Sequence, residues 1–293
     1  MSRDWSPDDR EPEASGPSRV GGSGEAPPRE EDWRTLVARA FHGGSDRFVV
    51  VRWHDRLVTV SPAQQATLRA IGTFRTVHAR DLAQHRYGAN QARADRDVQR
   101  LMRHGWVVQE TAPGRHGGRE QVVLTLTQDG YAFTRAHVVT DDQDLHFGLV
   151  KPKEQAHDAA LYRMAMAETE RLAQRGAVVH RVVLDADLKG QLASARNRPG
   201  TDAPEARTET AARALHLRVV DGTVQIPDVR LEYETREGTM ARVDLELATD
   251  HYKPSQVAAK AQAGFTIYAP PSQTGRLTAA LQDRGLVAEI VSL

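Results

Sequence analysis

The chain has 293 residues and a mass of 32.4 kDa, enough for about two domains of ordinary size, and 40% of its residues are hydrophobic. It contains no cysteine, which excludes disulfides, thiol catalysis and zinc sites with cysteine ligands. The sequence has no secretory signal and no apolar run of the roughly 18 residues needed to cross a bilayer, so it predicts a soluble, cytoplasmic protein without a membrane partner.

Charge is unevenly distributed, although the formal net charge is zero. Residues 1–46 carry 6 arginines and 10 acidic residues, residues 47–137 carry 14 arginines and 7 acidic residues, and residues 138–293 carry 19 basic and 22 acidic residues. The net charges of the three segments are therefore −4, +7 and −3. A basic segment between acidic ones indicates a polyanionic partner for that segment, and an arginine-rich solvated surface is the alternative interpretation.

Glycine, proline, serine and acidic residues dominate residues 1 to about 28, which hold almost no core-forming side chains. A short helix is predicted from about Glu30, with Trp33 and Phe41 on its apolar side. We therefore assign residues 1–46 to a largely disordered acidic tail that includes this short helix.

Residues 47–137 show the element order of a winged helix-turn-helix domain. The first helix is predicted to begin at Ser61-Pro62, because serine is a favoured N-cap and proline a favoured first helical residue. The predicted elements are, in chain order, a strand at 47–53, helices from Ser61, at 78–86 and at 91–104, strands at 106–109 and 121–126, and a helix at 127–137.

The third helix of this segment has two distinct sides at about 100° per residue. The side predicted to be buried carries Ala94, Val98, Leu101 and Met102. The opposite side carries Arg93, Arg96, Arg100 and Arg103. Asp95 and Asp97 lie among these arginines, where we expect them to orient guanidinium groups or to disfavour wrong binding sites.

An exposed third helix is the element that enters the DNA major groove in helix-turn-helix domains, and arginine binds guanine or phosphate with two hydrogen bonds. Three further basic residues, Arg115, His116 and Arg119, lie at the predicted wing tip, from which arginine can reach the minor groove. The sequence therefore predicts that these seven residues bind double-stranded DNA. The alternative is a winged helix used only for protein contacts.

A second α/β domain is predicted at 153–293, after a linker at 138–152. Its predicted elements are a helix at 153–174, a strand at 177–184, a polar insertion at about 189–215, strands at 224–233 and 240–249, a helix at 255–263, a strand at 265–269, a helix at 274–284 and a strand at 287–291.

Two strands of this domain alternate acidic and apolar residues around the loop Thr235–Thr239. A three-residue hairpin loop with Gly238 in the left-handed conformation pairs Thr235 with Thr239, which sets Asp228 opposite Glu246 and places Asp244 on the same face. Converging carboxylates repel one another unless a proton or a cation intervenes. The pattern predicts either a Mg²⁺ or Mn²⁺ site that activates water for phosphodiester cleavage or a solvent-facing acidic hairpin.

The element order of this domain resembles the core of the PD-(D/E)xK nuclease-like fold, with Pro227-Asp228 as its first motif and Asp244-Leu245-Glu246 as its second. Glu246 stands where that family has its lysine, and Lys260, with Lys253 as the second candidate, would replace it. For a nuclease, the resemblance implies that Asp228 and Glu246 hold the metal, that Asp244 assists and that Lys260 stabilises developing charge. His157 is a further candidate base or ligand, although a lone helical histidine more often packs or caps.

Residues 55–270 as a whole resemble the replication-relaxation family of plasmids and mobile elements, in which a winged helix precedes a degenerate nuclease-like domain. The matching features are the helical region from Leu68 to Leu101, Leu126-Thr127-x-x-Gly130, His157-Asp158, Pro227-Asp228, the segment Asp244–Thr249 and Lys260. In that segment the two acids are exchanged relative to the family's "E-x-D-x-G-T", and Ala248 replaces glycine.

The resemblance implies a non-catalytic DNA-binding accessory protein of plasmid replication or conjugative mobilisation. Its second domain would contact DNA, a relaxase, a replication protein or a second protomer. DNA binding itself requires no cofactor. The alternatives are a Mg²⁺- or Mn²⁺-dependent DNA endonuclease targeted by the winged helix, and a transcription regulator whose second domain senses a ligand or dimerises.

Overall fold

The computed structural model describes residues 47–112, 121–139, 141–198, 203–249 and 252–293. These residues form a mixed α/β structure, which confirms the predicted fold class at this level. The predicted tail, with its helix from Glu30, and the predicted wing-tip residues Arg115, His116 and Arg119 lie outside the described residues. No described helix combines the length and the apolar character that crossing a bilayer requires.

The first half of the fold contains four helices and two small sheets within the described ranges. Its elements are β1 (Val49–Trp53), β2 (Arg56–Val60), α1 (Pro62–Phe74), β3 (Val77–His78), α2 (Ala79–Arg86), α3 (Gln91–Arg103), β4 (Val107–Ala112), β5 (Gln121–Leu126) and α4 (Gln128–His137). β1 pairs with β2, and β3, β5 and β4 form an antiparallel sheet in that order.

Polar side chains cap α1, α3 and α4 at or next to their predicted starts. Ser61 and Gln64 form a reciprocal capping box at the start of α1. The Asn90 side chain accepts a hydrogen bond from the Arg93 backbone N–H at 3.0 Å, and the Thr127 hydroxyl accepts one from the Gly130 N–H at 2.9 Å. These caps fix the ends of α3 and α4, whose predicted bounds differ from the observed ones by a single residue.

The second half is built on a five-stranded mixed sheet. Its elements are α5 (Pro152–Gln174), β6 (Val178–Leu184), α6 (Asp185–Arg196), α7 (Pro204–Ala214), β7 (Val219–Val220), β8 (Thr223–Val224), β9 (Val229–Glu234), β10 (Met240–Leu247), α8 (Pro254–Gln262), β11 (Thr266–Ala269), α9 (Pro271–Gln282) and β12 (Ile290–Ser292). The large sheet has the order β6-β9-β10-β11-β12. β9 runs antiparallel to β6 and β10, whereas β10, β11 and β12 are parallel.

Helices cover both faces of this sheet. α5 packs against one face, on β6, β9 and β10. Its buried residues Leu161, Tyr162 and Met164 belong to the same apolar cluster as the core of the first half, where Tyr162 packs against Phe74. Two separate clusters cover the opposite face, one under α6 and α7 and one under α8 and α9. The segment predicted as a polar insertion, 189–215, is largely helical instead, because Leu188, Leu192 and Ala212 pack against Val183 of β6.

The segment predicted as a linker, 138–152, is held against both halves where it is described. The buried Gln143 amide donates to the Val182 carbonyl at 2.8 Å and accepts from the Val182 N–H at 2.9 Å, as a neighbouring strand would. Asp141 accepts two hydrogen bonds from the buried guanidinium of Arg69, at 3.0 and 2.7 Å. The connection therefore fixes β6 to the first half.

Candidate nucleic-acid interface and buried carboxylate site

α3 is strongly amphipathic. Ala94, Val98 and Leu101 are buried against the core of the first half, as predicted, whereas Met102, predicted on the same side, is 37% exposed. Met102 directly follows Leu101, and the 100° step carries it to the edge of the buried side. The helix ends at Arg103, and Gly105 takes a positive φ of 76° that turns the chain into β4.

The four arginines predicted on the outer side of α3, Arg93, Arg96, Arg100 and Arg103, are all exposed. We call this set the arginine face. Within the described residues, none of the four guanidinium groups forms an ion pair. Asp95 and Asp97 do not orient them: each accepts a hydrogen bond from a glutamine, Gln91 at 2.8 Å and Gln64 at 2.9 Å. The guanidinium groups of the arginine face are therefore not engaged in ion pairs with the described residues.

A groove of about 480 Å³ lies between α3 and the N-terminal end of α1. Arg93, Arg96 and Arg100 form one wall, and residues 61–64, at the start of α1, form another. Phe48, which is 64% exposed, lies at the same groove. Guanidinium groups beside a helix N-terminus favour a negatively charged occupant.

His104 reports the local potential at the end of α3. Partial burial lowers its pKa, and the positive charges of Arg100, Arg103 and Arg56 lower it further. Beside the effect of burial, three cations thus disfavour an additional positive charge at this position.

The β9–β10 hairpin has the predicted register. Thr235 N–H donates to the Thr239 carbonyl at 2.9 Å, and Gly238 has a φ of 78°. Met240 pairs with Glu234 and Leu245 with Val229, which confirms that Asp228 lies opposite Glu246. The face shared by Asp228, Asp244 and Glu246 is not solvent-exposed, since Glu246 is only 2% exposed.

Asp228, Glu246, Lys260 and His157 come together at one end of this hairpin. Lys260 Nζ lies 3.1 Å from Glu246 Oε2, and the Tyr252 hydroxyl donates to Glu246 Oε1. Asp228 Oδ2 accepts from the Leu247 N–H at 2.8 Å, whereas its Oδ1 lies 3.7 Å from His157 Nε2. We call these four side chains, together with Tyr252, the carboxylate site.

Asp244 is excluded from the carboxylate site by Arg230. The Arg230 guanidinium donates to both Asp244 oxygens, at 2.6 and 2.9 Å, and also to the backbone carbonyls of Leu215 and His216. The predicted assisting role of Asp244 does not fit this geometry, because both of its oxygens are occupied. Lys253, the second candidate lysine, is exposed at the start of α8, and Lys260 is the lysine that reaches the site.

Burial raises the pKa of Glu246 to about 7, and the nearby charge of Asp228 acts in the same direction. Lys260 and Tyr252 oppose this rise by stabilising the carboxylate. The two carboxyl groups therefore share a site in which their joint ionisation is unfavourable and Lys260 is the resident counter-ion.

A divalent cation does not fit this arrangement. Both oxygens of Glu246 face a donor, one oxygen of Asp228 faces a backbone N–H, and the described residues hold no group of three or more acidic or histidine side chains arranged as metal ligands. Mg²⁺ and Mn²⁺ need more free oxygen ligands than the single Asp228 Oδ1.

Sequence reasoning brought Asp228, Glu246 and Lys260 together but missed Arg230 and Tyr252. The ion pair of Arg230 with Asp244 could have been predicted, because the predicted register pairs residue 230 with residue 244. Tyr252 had no signal, since the loop between β10 and α8 has no pattern that sets its direction. Comparisons of the chain with protein-family models, with curated proteins and with solved structures found no match.

Proposed function

We propose that this protein is a non-catalytic DNA-binding factor that contacts double-stranded DNA through the arginine face. The single observation that carries the proposal is the set of four exposed arginines on α3 that form no ion pair with any residue the structure describes. This helix follows α2 after the turn Tyr87–Asn90, in which Gly88 and Ala89 have positive φ angles of 57° and 64°. Two helices joined in this way, followed by a small antiparallel sheet, are typical of a winged helix-turn-helix domain.

α3 is the recognition helix in this proposal. Its outer side enters the major groove, where arginine forks bind guanine edges or phosphates. The N-terminal end of α1, which forms the second wall of the groove, approaches a phosphate of the adjacent strand. Ala94, Val98 and Leu101 anchor the opposite side of α3 in the core, so the arginines are presented from a rigid element.

We infer that the second half is a degenerate nuclease-like domain. Support comes from its sheet order, with the second of five strands antiparallel to the others, and from the place of Asp228 and Glu246 at the end of the hairpin. Lys260 and Arg230 neutralise Glu246 and Asp244, so both acids serve packing and charge balance rather than metal binding.

The biological setting proposed here follows from the resemblance of residues 55–270 to the replication-relaxation family. We infer a role in plasmid replication or mobilisation, with a relaxase, a replication protein or a second copy of the chain as partner of the second half. A gene for a relaxase or an origin of transfer beside the coding sequence would favour this setting over transcription regulation.

The first test is DNA binding by the variant Arg96→Ala/Arg100→Ala. Each guanidinium that contacts a base is worth about 1–3 kcal/mol, so the double variant should bind its duplex at least about 30-fold more weakly. Fluorescence anisotropy against a duplex chosen by selection from random sequence would measure this loss, with the salt dependence of affinity recorded in parallel.

The matched control is Arg276→Ala/Arg284→Ala, which removes the same charge from exposed positions of α9 and the turn after it. It should leave affinity within about twofold, because long-range charge effects are screened at physiological salt. Equal losses in the two double variants would show that net charge, and not the arginine face, governs binding.

The second candidate function is a metal-dependent endonuclease, and the meeting of Asp228, Glu246 and Lys260 is the observation in its favour. We expect supercoiled plasmid to remain intact with the protein and Mg²⁺ or Mn²⁺, because the carboxylates are already occupied. Nicking by the wild type that disappears in Asp228→Ala/Glu246→Ala would replace the non-catalytic proposal with the nuclease.

A further inference from the structure

A cleft of about 510 Å³ lies on the second half, where the end of α7 and the turn after it meet β10 and the end of α8. Its lining includes three arginines, one histidine and a single acidic residue. We call it the basic cleft, and these five side chains are Arg213, His216, Arg218, Arg242 and Asp244.

The buried Arg230 joins the two sides of the basic cleft. Its side chain is 4% exposed, and its guanidinium donates to both carboxylate oxygens of Asp244 in β10. The same guanidinium donates to the backbone carbonyls of Leu215 and His216, directly after α7. Carbonyls at a helix C-terminus have no partners inside the helix, so this contact stabilises the end of α7 above β10.

The turn after α7 then directs the chain back to the cleft. His216 has a left-handed φ of 53°, which is uncommon for a residue other than glycine. The reversal of direction leaves His216 and Arg218 exposed, on the two sides of the buried Leu217. Arg230 therefore acts as a positioning residue, because its hydrogen bonds fix the backbone that carries these side chains.

Arg218 and Arg242 are exposed, and neither forms an ion pair with a residue that the structure describes. Glu232 is the cross-strand neighbour of Arg242, but its carboxylate pairs with Arg181 at 3.6 Å. The acid nearest to Arg242 in the register is thus already paired with another arginine.

The remaining charges of the basic cleft leave it positive. Arg213 lies 3.5 Å from Glu209, but both side chains are largely exposed, and such a pair holds a guanidinium only weakly. Asp244 accepts from Arg230 with both oxygens, so its charge is compensated beneath the cleft. The cleft therefore favours an anionic ligand.

The lining of the cleft also indicates which anion it suits. The planar guanidinium of arginine binds two phosphate oxygens at once. No phenylalanine, tyrosine or tryptophan is among the residues that line the cleft, so it offers no large aromatic ring on which a nucleobase could stack. This combination recognises phosphate charge and leaves a base unread.

We propose that the basic cleft binds phosphate groups, and that these belong to the backbone of duplex DNA as a second contact of the chain. Arg218 and Arg242 bind the phosphate oxygens, and Arg230 and Asp244 position the turn that carries Arg218. The assignment of the phosphates to DNA rests on the proposed function, whereas the anion site itself does not. A backbone contact adds affinity without adding sequence preference.

The anion site is tested without DNA, by titrating the isotope-labelled full chain with inorganic phosphate at constant ionic strength. We expect saturable shifts of the amide signals of residues 216–218, and loss of these shifts in Arg218→Gln/Arg242→Gln. Both side chains are exposed, so this cleft variant should fold as the wild type does. Arg276→Gln/Arg284→Gln should keep the shifts, and shifts of 216–218 no larger than those of α9 would overturn the anion site.

The DNA contact is tested with a selected duplex that is extended on both sides of its binding site. At about 100 mM salt the cleft variant should bind this duplex at least about tenfold more weakly, and the slope of log affinity against log salt should fall by about 2, one for each lost phosphate contact. The control Arg276→Gln/Arg284→Gln should stay within about twofold. Unchanged duplex affinity and salt slope in a variant that has lost its phosphate shifts would assign the site to a small phosphate ligand and contradict the DNA contact.

The outcomes also separate this inference from the proposed function. Loss of duplex binding in Arg96→Ala/Arg100→Ala, without any loss in the cleft variant, would contradict the second DNA contact alone. Phosphate shifts at residues 216–218 in a protein that binds no duplex would contradict the proposed function and leave the anion site in place.

Discussion

At the scale of single residues, Glu246 of the carboxylate site has a pKa that its buried environment and the charge of Asp228 raise. Its pKa is about 7 in the folded protein and 4.5 in the unfolded chain. Between these two pH values the folded protein therefore binds a proton that the unfolded chain has released. The free energy of unfolding contributed by this group therefore falls as pH rises from about 4.5 to 7. Glutamine at this position imitates the protonated form and removes that dependence.

We expect Glu246→Gln to gain stability relative to the wild type as pH rises from 5 to 8. Urea denaturation at several pH values would measure the difference in free energy of unfolding between the two proteins. Glu205→Gln, at an exposed position, should show a difference that stays flat. A Glu246→Gln difference that is also flat, or that declines with pH, would contradict the environment described for Glu246.

The residues of the carboxylate site were predictable to the extent that backbone register determines them. The hairpin loop set Asp228 opposite Glu246, and the same arithmetic sets Arg230 opposite Asp244. Lys260 and Tyr252 come from outside the hairpin, and their directions depend on how α8 packs, which no local pattern encodes. For the arginine face, helical periodicity alone was sufficient.

At the scale of elements, Gly130 determines how α4 meets β4. A Cβ atom at Gly130 would lie 2.0 Å from the Trp106 carbonyl oxygen, a backbone atom. Trp106, which directly precedes β4, stacks on Phe133 of α4 with ring centroids 3.7 Å apart. Moving α4 away from β4 would therefore break this ring contact. The Leu-Thr-x-x-Gly pattern around Thr127 therefore has a steric reason.

Gly130→Ala should lower the free energy of unfolding by about 2–4 kcal/mol, because overpacking against backbone forces helix and strand apart. Gly190→Ala is the matched control: Gly190 is also helical, in α6, and a Cβ atom there meets nothing within 4 Å. It should be stabilising by about 0.5–1 kcal/mol, since alanine is the better helix former. Urea denaturation of both variants would measure this contrast, and similar values would contradict the close approach.

The capped helices were predictable from sequence, whereas the strands β2 and β3 were not. Asn90 and Thr127 cap α3 and α4, whose predicted bounds differ from the observed ones by one residue. β2 was missed because its turn uses His54 and Asp55 at φ angles of 44° and 60°, without the usual glycine. β3 has two residues and exists only through its pairing with β5.

At the scale of the whole molecule, the distribution of charge along the chain and the order of the elements could be predicted from the sequence. The contacts by which residues 138–152 connect the two halves could not. Composition cannot reveal that Gln143 acts as a strand partner for Val182, or that Arg69 is buried against Asp141. A polar stretch of this length resembles a flexible linker until its side chains have partners.

The Gln143 connection has a consequence for the proposed binding of DNA. A protein whose halves are joined by a loose tether tolerates any spacing between two contacts on a duplex. Here β6 is fastened to the half that carries α3. If α3 binds DNA as proposed, a second contact, by the chain itself or by a bound partner, would fall at a fixed angular position around the double helix. Moving that second point by half a helical turn, about 5 base pairs, would place it on the far side of the duplex, and a full turn would restore it.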